Sequence, residues 1–174
     1  MRLPSLVLAA FLVLVTGLPA RAVEVQQVTS PGGVTAWLVE DHSNPILSLD
    51  MAFVGGAALD PEGREGLAYL VSGLIDEGAG ELDSQAFQGT LQDLSIRLSF
   101  DAGLDTFRGS LQTLTESRET AFDLLRLALS EPRFDEEPVD RIRSQVLVQL
   151  AQESENPNSI AQQALSELLF PGHP

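Results

Sequence analysis

The 174-residue sequence contains no cysteine and no lysine, and its only histidines are His42 and His173. Without cysteine there are no disulfides, no thiolate metal sites and no thiol nucleophiles. An exported domain of this composition must be held by its core or by a partner. The missing lysine leaves 10 arginines against 25 acidic residues. Such a balance excludes nucleic-acid binding, which depends on clustered cations that neutralise phosphate. It also disfavours adsorption to anionic membranes. Long apolar runs are scarce too. The longest spans Leu6 to Val15, and nothing downstream of Ala22 resembles a transmembrane segment.

What is present begins with an export leader. Arg2 supplies one positive charge, the apolar run follows, and Pro19 ends any helix before Ala20-Arg21-Ala22, the small-x-small pattern of a signal-peptidase site. The apolar run is too short to cross a hydrocarbon core of about 30 Å. Residues 1–22 therefore read as a signal peptide, cleaved near Ala22, that sends residues 23–174 to the periplasm or the extracellular space. Arg2 and Arg21 leave with it, so 8 basic residues face 25 acidic ones, a formal net charge of −17.

Residues 34–41 have strand content, followed by a turn at Asp41-His42-Ser43-Asn44-Pro45. A second strand over 46–54 carries Met51, Ala52 and Phe53 in succession, which predicts burial on both faces. Glu65 to Ile75 reads as a short, largely buried helix, and Asp83 as the cap of a helix over 84–94. Residues 95–102 and 106–111 form a predicted hairpin, with Ile96, Leu98 and Phe100 on one side. Helices follow over 116–129, with Thr115 as cap and Ala121, Phe122, Leu125, Ala128 and Leu129 inward, and over 136–155, with Val139, Ile142, Val146 and Leu150 inward. Ser159 is the expected cap of a last helix ending at Leu169. The order of elements points to an α+β domain with a mixed, mostly antiparallel sheet covered by helices on one face.

No familiar catalytic constellation emerges from the residues alone. Gly55-Gly56 and Gly78-Ala79-Gly80 lack the full G-x-G-x-x-G spacing. Ser72-Gly73 lacks the nucleophile elbow. The acids do not fall at EF-hand spacing. Asp76 with Glu77, and Asp135 to Glu137, read as solvated helix ends rather than a hydrolytic carboxylate pair. His42 reads as a surface residue in a turn, and His173 lies near the end of the sequence given.

The phrases Gly33-Val34-Thr35-Ala36-Trp37-Leu38-Val39-Glu40-Asp41-His42, Phe53-Val54-Gly55-Gly56-Ala57, Asp60-Pro61 and Glu65-Gly66-Leu67-Ala68 occur in one order. Arg97-Leu98-Ser99-Phe100-Asp101-Ala102 and the segment from Leu165 to Pro174 continue it. In that order they resemble the N-terminal domain of peptidase family M16, the pitrilysin and insulinase group of inverted-motif zinc peptidases. The resemblance covers nearly all of residues 23–174, with a C-terminal truncation left open.

The resemblance implies an H-x-x-E-H motif on the helix after Gly66-Leu67-Ala68, with two zinc-binding histidines and a glutamate that polarises water. Here Tyr69 stands at the first histidine, Ser72 at the glutamate and Gly73 at the second histidine. Gln149 is the nearest equivalent of the distal glutamate ligand. A catalytic zinc site uses three protein ligands plus water. A phenol is a poor substitute for imidazole, glycine offers no ligand, neutral Gln149 brings no charge, and Ser72 cannot act as the carboxylate base. The resemblance thus implies a non-catalytic member with no cofactor of its own. Such a member would pair with a zinc-bearing homologue as a heterodimer and contribute to a peptide-processing chamber. An independent peptide-binding or chaperone-like module and a metallopeptidase with a relocated site are the alternatives. Gly55 and Gly56 are expected to allow close backbone approach or simply to form a turn.

Overall fold

The computed structural model describes residues 24–171, so the leader and His173 lie outside the described residues. They form two units, divided between Asn44 and Pro45. The first is a hairpin of β1 (Val25–Thr29) and β2 (Thr35–Val39), paired antiparallel from Val25 opposite Val39 to Thr29 opposite Thr35. Its turn closes through Ser30, whose amide donates to the Val34 carbonyl at 2.8 Å, and Gly33 supplies the positive φ of 86°. The sequence reading missed β1. Val25-Gln26-Gln27-Val28-Thr29 has no clean alternation, and its strand character comes from pairing with β2.

The second unit contains β3 (Ile46–Val54), β4 (Arg97–Ala102) and β5 (Thr106–Leu114). They form an antiparallel sheet in the order β3-β5-β4. The predicted hairpin is β4–β5, with Leu98 opposite Leu111 and Phe100 opposite Gly109. The helices are α1 (Leu67–Ser72), α2 (Ser84–Asp93), α3 (Arg118–Ser130), α4 (Glu136–Glu155) and α5 (Pro157–Leu169). None among the described residues is long and apolar enough to cross a membrane.

The sheet has one apolar and one polar face, because side chains alternate along each strand. Leu98 and Leu111 face inward and join Phe87 and Leu91 of α2 with Ala121, Leu124, Leu125 and Ala128 of α3 in a single core. Ser99 and Ser110 pair at 3.2 Å, and Arg97 donates to Gln112 at 3.3 Å, among exposed groups. This is the expected α+β architecture. β3 departs from its predicted burial on both faces. Leu47, Leu49 and Met51 are half-buried, whereas Ala52, Phe53 and Val54 are exposed. Among the described residues β3 pairs only with β5, so its apolar run ends at a sheet edge.

The limits of α2 to α5 hold better than their faces, but the helix expected over 65–75 is confined to Leu67–Ser72, where only Ser72 is buried, because Gly66 and Gly73 bound it. Asp83 caps α2 by accepting the Ala86 amide at 2.9 Å. α3 begins after a 3-10 turn at Thr115–Ser117, so Thr115 is not its cap. Its inner stripe contains Leu124 and leaves Phe122 and Leu129 partly exposed. In α4, Val139, Ile142 and Val146 are half-buried but Leu150 is exposed. Asn156, not Ser159, caps α5, accepting the Asn158 amide at 2.9 Å, with Pro157 in the first helical position.

Gly56 meets the 103–105 turn edge to edge. Amides of Gly55, Ala57 and Ala58 donate to the carbonyls of Asp105, Gly103 and Leu104 at 2.9 to 3.0 Å. A Cβ at Gly56 would collide with the Gly103 carbonyl oxygen and lie 2.8 Å from that of Leu104. The close backbone approach expected at this glycine pair is therefore made within the chain. Gly56→Ala is expected to destabilise by about 2–3 kcal/mol. Gly89→Ala, in α2 with open space around it, should stabilise by about 0.5–1 kcal/mol. Denaturant unfolding measures both, and equal effects would contradict this packing.

Candidate functional site

The site lies where α1 meets α4. Asp60 sets the entry to α1: its carboxylate accepts the Gly66 amide at 2.7 Å and the Ala68 amide at 2.9 Å. These are donors that a helix start leaves unpaired. Gly66, with φ of 91°, turns the chain into the helix. Beyond Ser72 the hydrogen bonding becomes irregular but persists, with the Ile75 amide donating to Val71 at 3.0 Å.

The four residues singled out from sequence converge here. The Tyr69 hydroxyl donates to Gln149 Oε1 at 3.2 Å, across 80 positions of chain. Gln149 Nε2 then donates to Glu153 Oε1 at 2.9 Å, one turn along α4. Ser72 is buried, and its hydroxyl donates back to the Tyr69 carbonyl at 2.8 Å. Gly73 faces Ile142, whose Cγ2 would sit 3.2 Å from a Cβ built there. His42 belongs to the hairpin unit, exposed and 3.7 Å from Glu40.

These groups do not fit a zinc ion. Tyr69 and Gln149 satisfy each other, Ser72 is spent on backbone, and an aliphatic side chain occupies the space beside Gly73. Coordination needs ionised or imidazole donors with free lone pairs aimed at one point. Among the described residues no three His, Cys, Asp or Glu side chains gather as a ligand set.

A cleft of about 460 Å³ opens over this junction. Leu70, Val146, Leu147 and Leu150 form its apolar walls, Tyr69 and Gln149 its polar floor, and Glu65 and Glu153 also line it. Ile142, Val146, Gln149 and Glu153 recur at spacings of four, three and four, which places them on one face of α4. That period was available in the sequence. The apolar stripe read from sequence, Val139, Ile142, Val146 and Leu150, shares two of these positions but followed hydrophobicity and passed over the polar members.

A second junction was misread. Asp76 and Glu77 are not solvated helix ends. Glu77 is largely buried and accepts from Arg141 Nη2 at 2.7 Å and from the Ser84 hydroxyl at 2.6 Å, fastening α4 to the segment after α1. Beside it, burial pushes the Asp76 carboxyl up to about 6. A backbone hydrogen bond opposes this shift and the Glu77 charge adds to it.

An antiparallel sheet packed against helices defines the class as an α+β domain. The sequence profile of insulinase (peptidase family M16) matches residues 35–174. The chain belongs to that family, as a member in which the inverted zinc motif is replaced. It is 28% identical over 158 residues to the non-peptidase homologue YmxG of Helicobacter pylori, covering 91% of this chain and 36% of that relative. Among solved structures, an inactive M16 peptidase domain from Pseudomonas fluorescens superposes with a TM-score of 0.78 at 26% identity, over 86% of this chain and 37% of that one. Pitrilysin shares the fold at a TM-score of 0.71 and 21% identity, over 87% of this chain and 16% of its own. The chain thus spans little more than a third of its curated relative's length.

Two outcomes follow from this geometry. A folded-state pKa near 6 lies above the ordinary 3.8, so the native state holds the Asp76 proton more tightly than the unfolded chain. This contribution is complete below about pH 4 and is lost as pH rises through 6. Asp76→Asn should therefore raise stability by about 2 kcal/mol at pH 7 and change it little at pH 4. A pH series of denaturant melts reads this directly, and a pH-independent difference would refute it. Introducing ligands with Tyr69→His, Gly73→His and Gln149→Glu should raise zinc binding above that of the native chain. Adding Ile142→Ala should strengthen it by relieving the contact at position 73. Metal analysis after dialysis against zinc tests the series, and equal zinc in native and triple-substituted protein would contradict it.

Proposed function

We propose that this chain is a non-catalytic M16 subunit that pairs, outside the cytoplasm, with a zinc-bearing homologue and helps to form its peptide chamber. The single observation that carries this reading is the state of the motif positions. Tyr69, Ser72, Gly73 and Gln149 are joined to one another or to backbone and packing, while the rest of the fold is kept. Two similar proteins are described as a non-peptidase homologue and an inactive domain, which supports the absence of peptidase activity here. In this reading zinc belongs to the partner subunit, and the chain contributes surface and shape. Export follows from the signal-like leader, and partner choice from packing and charge, since no cysteine is available to link subunits.

The test uses mature protein alone and mixed with a zinc-bearing M16 homologue. Co-purification of the two, with peptide cleavage that depends on the homologue's zinc and rises when this chain is added, is the expected result. Zinc-dependent cleavage by this chain alone would overturn the proposal. An independent peptide-binding module is the second reading, favoured by the open cleft between α1 and α4. Stable peptide capture with no association between the two proteins would select it.

A further inference from the structure

We propose that the free edge of β3 is a self-association surface, on which a second copy of this chain joins β3 to β3, antiparallel, about a two-fold axis at Asp50. The proposal stands apart from the reading of the motif positions and goes beyond it.

An edge strand presents unpaired amides and carbonyls to any strand that can align with them, and soluble proteins blunt such edges. The two edges of this sheet are treated differently. β4 has six residues and carries two charges, Arg97 and Asp101. β3 has nine residues with no proline and no cation, and Asp50 is its one charge. Its register with β5 runs without a bulge from Ile46 opposite Leu114 to Val54 opposite Thr106. Among the described residues no strand pairs with its other side. That flank is also apolar. Leu49 and Met51 pack against the core yet stay half-buried, while Ile46, Phe53 and Val54 are 49%, 46% and 100% exposed. A long, apolar, uncovered edge of this kind is a template for a further strand.

Sequence symmetry and charge choose the occupant. Counted outward from Asp50, the neighbours match in kind: Leu49 with Met51, Ser48 with Ala52 and Leu47 with Phe53, and both strand ends are apolar. An antiparallel pair centred on Asp50 sets each of these opposite its match in the other copy. It uses the whole strand and keeps every side chain on its own face of the sheet. A six-stranded sheet results, with the apolar faces of the two copies continuous. Charge permits the approach. The whole sequence carries a formal net charge of −15, but the three strands are balanced, Asp50 and Asp101 against Arg97 and Arg108. A second acidic copy is therefore repelled least at the sheet, and a cationic partner gains nothing there. Asp50 meets Asp50 across the axis and weakens the pair, since like charges directly opposite are unfavourable. The contact is thereby kept reversible. Each copy has one such edge, so association closes at two.

Sedimentation of the mature protein should show a reversible monomer–dimer equilibrium at micromolar concentration. Added salt should tighten it by screening the acidic copies from each other. Asp50→Asn should strengthen it about threefold or more. Ser48→Lys with Ala52→Lys sets like charges opposite in this register and should abolish the dimer. Ser48→Lys with Ala52→Glu sets opposite charges together and should restore it. Because the chain has no cysteine, Asp50→Cys alone places two thiols across the axis, and mild oxidation should give a covalent dimer. Glu155→Cys, exposed at the end of α4, should give none. A monomer at every concentration would overturn the proposal, as would equal association of the two Ser48–Ala52 double variants. Equal cross-linking through positions 50 and 155 would show random collision and overturn it too. Pairing with a zinc-bearing homologue is measured separately. If the double-lysine variant lost that pairing while the native protein never self-associated, the edge would belong to the homologue and not to a second copy.

Discussion

Helices α1 and α4 are far apart in sequence and must be brought together for the cleft between them to exist. In this chain the joint is made by protein groups: Tyr69 to Gln149, Gly73 against Ile142, and Arg141 to Glu77 just beyond. Each is of ordinary strength. A neutral hydrogen bond in a half-exposed place contributes about 1 kcal/mol, and the half-buried ion pair is of similar order. Together they hold α1 against α4.

The sheet core and the junction answer to different demands. Phe87, Leu111, Leu124 and Ala128 close the core between sheet and helices without involving the motif positions. That separation lets the motif change while the architecture stays, because the core does not depend on what occupies positions 69, 72 and 73. The outer half of α4 and much of α5 remain apolar and exposed, as at Leu150, Leu165 and Leu169.

Much of this was legible in the sequence where periodicity or capping was strong. The limits of α4, the Asp83 cap and the β4–β5 hairpin could be read from local chemistry. So could the convergence of Tyr69 and Gln149, through resemblance to the zinc family. Other features could not, for physical reasons. β1 has little intrinsic strand signal and exists through its pairing with β2. Met51-Ala52-Phe53 looked like a strand buried twice over, yet apolar content does not reveal that a strand lies at an edge. Asp76 and Glu77 looked like solvent-facing charges, because nothing local announces that Arg141, 64 positions away, will meet Glu77. Ile142 beside Gly73 was invisible for the same reason: it is a contact between elements, and only the fold brings the pair together.

The central claim is that the α1–α4 joint is complete without a metal. The most direct measurement is the thermal unfolding midpoint of the purified chain across a zinc titration and in chelator. A ligand that binds only the native state raises the midpoint as its concentration rises. The account predicts one midpoint throughout, set by Tyr69, Gln149 and their neighbours. A midpoint that climbs with zinc and falls in chelator would contradict it.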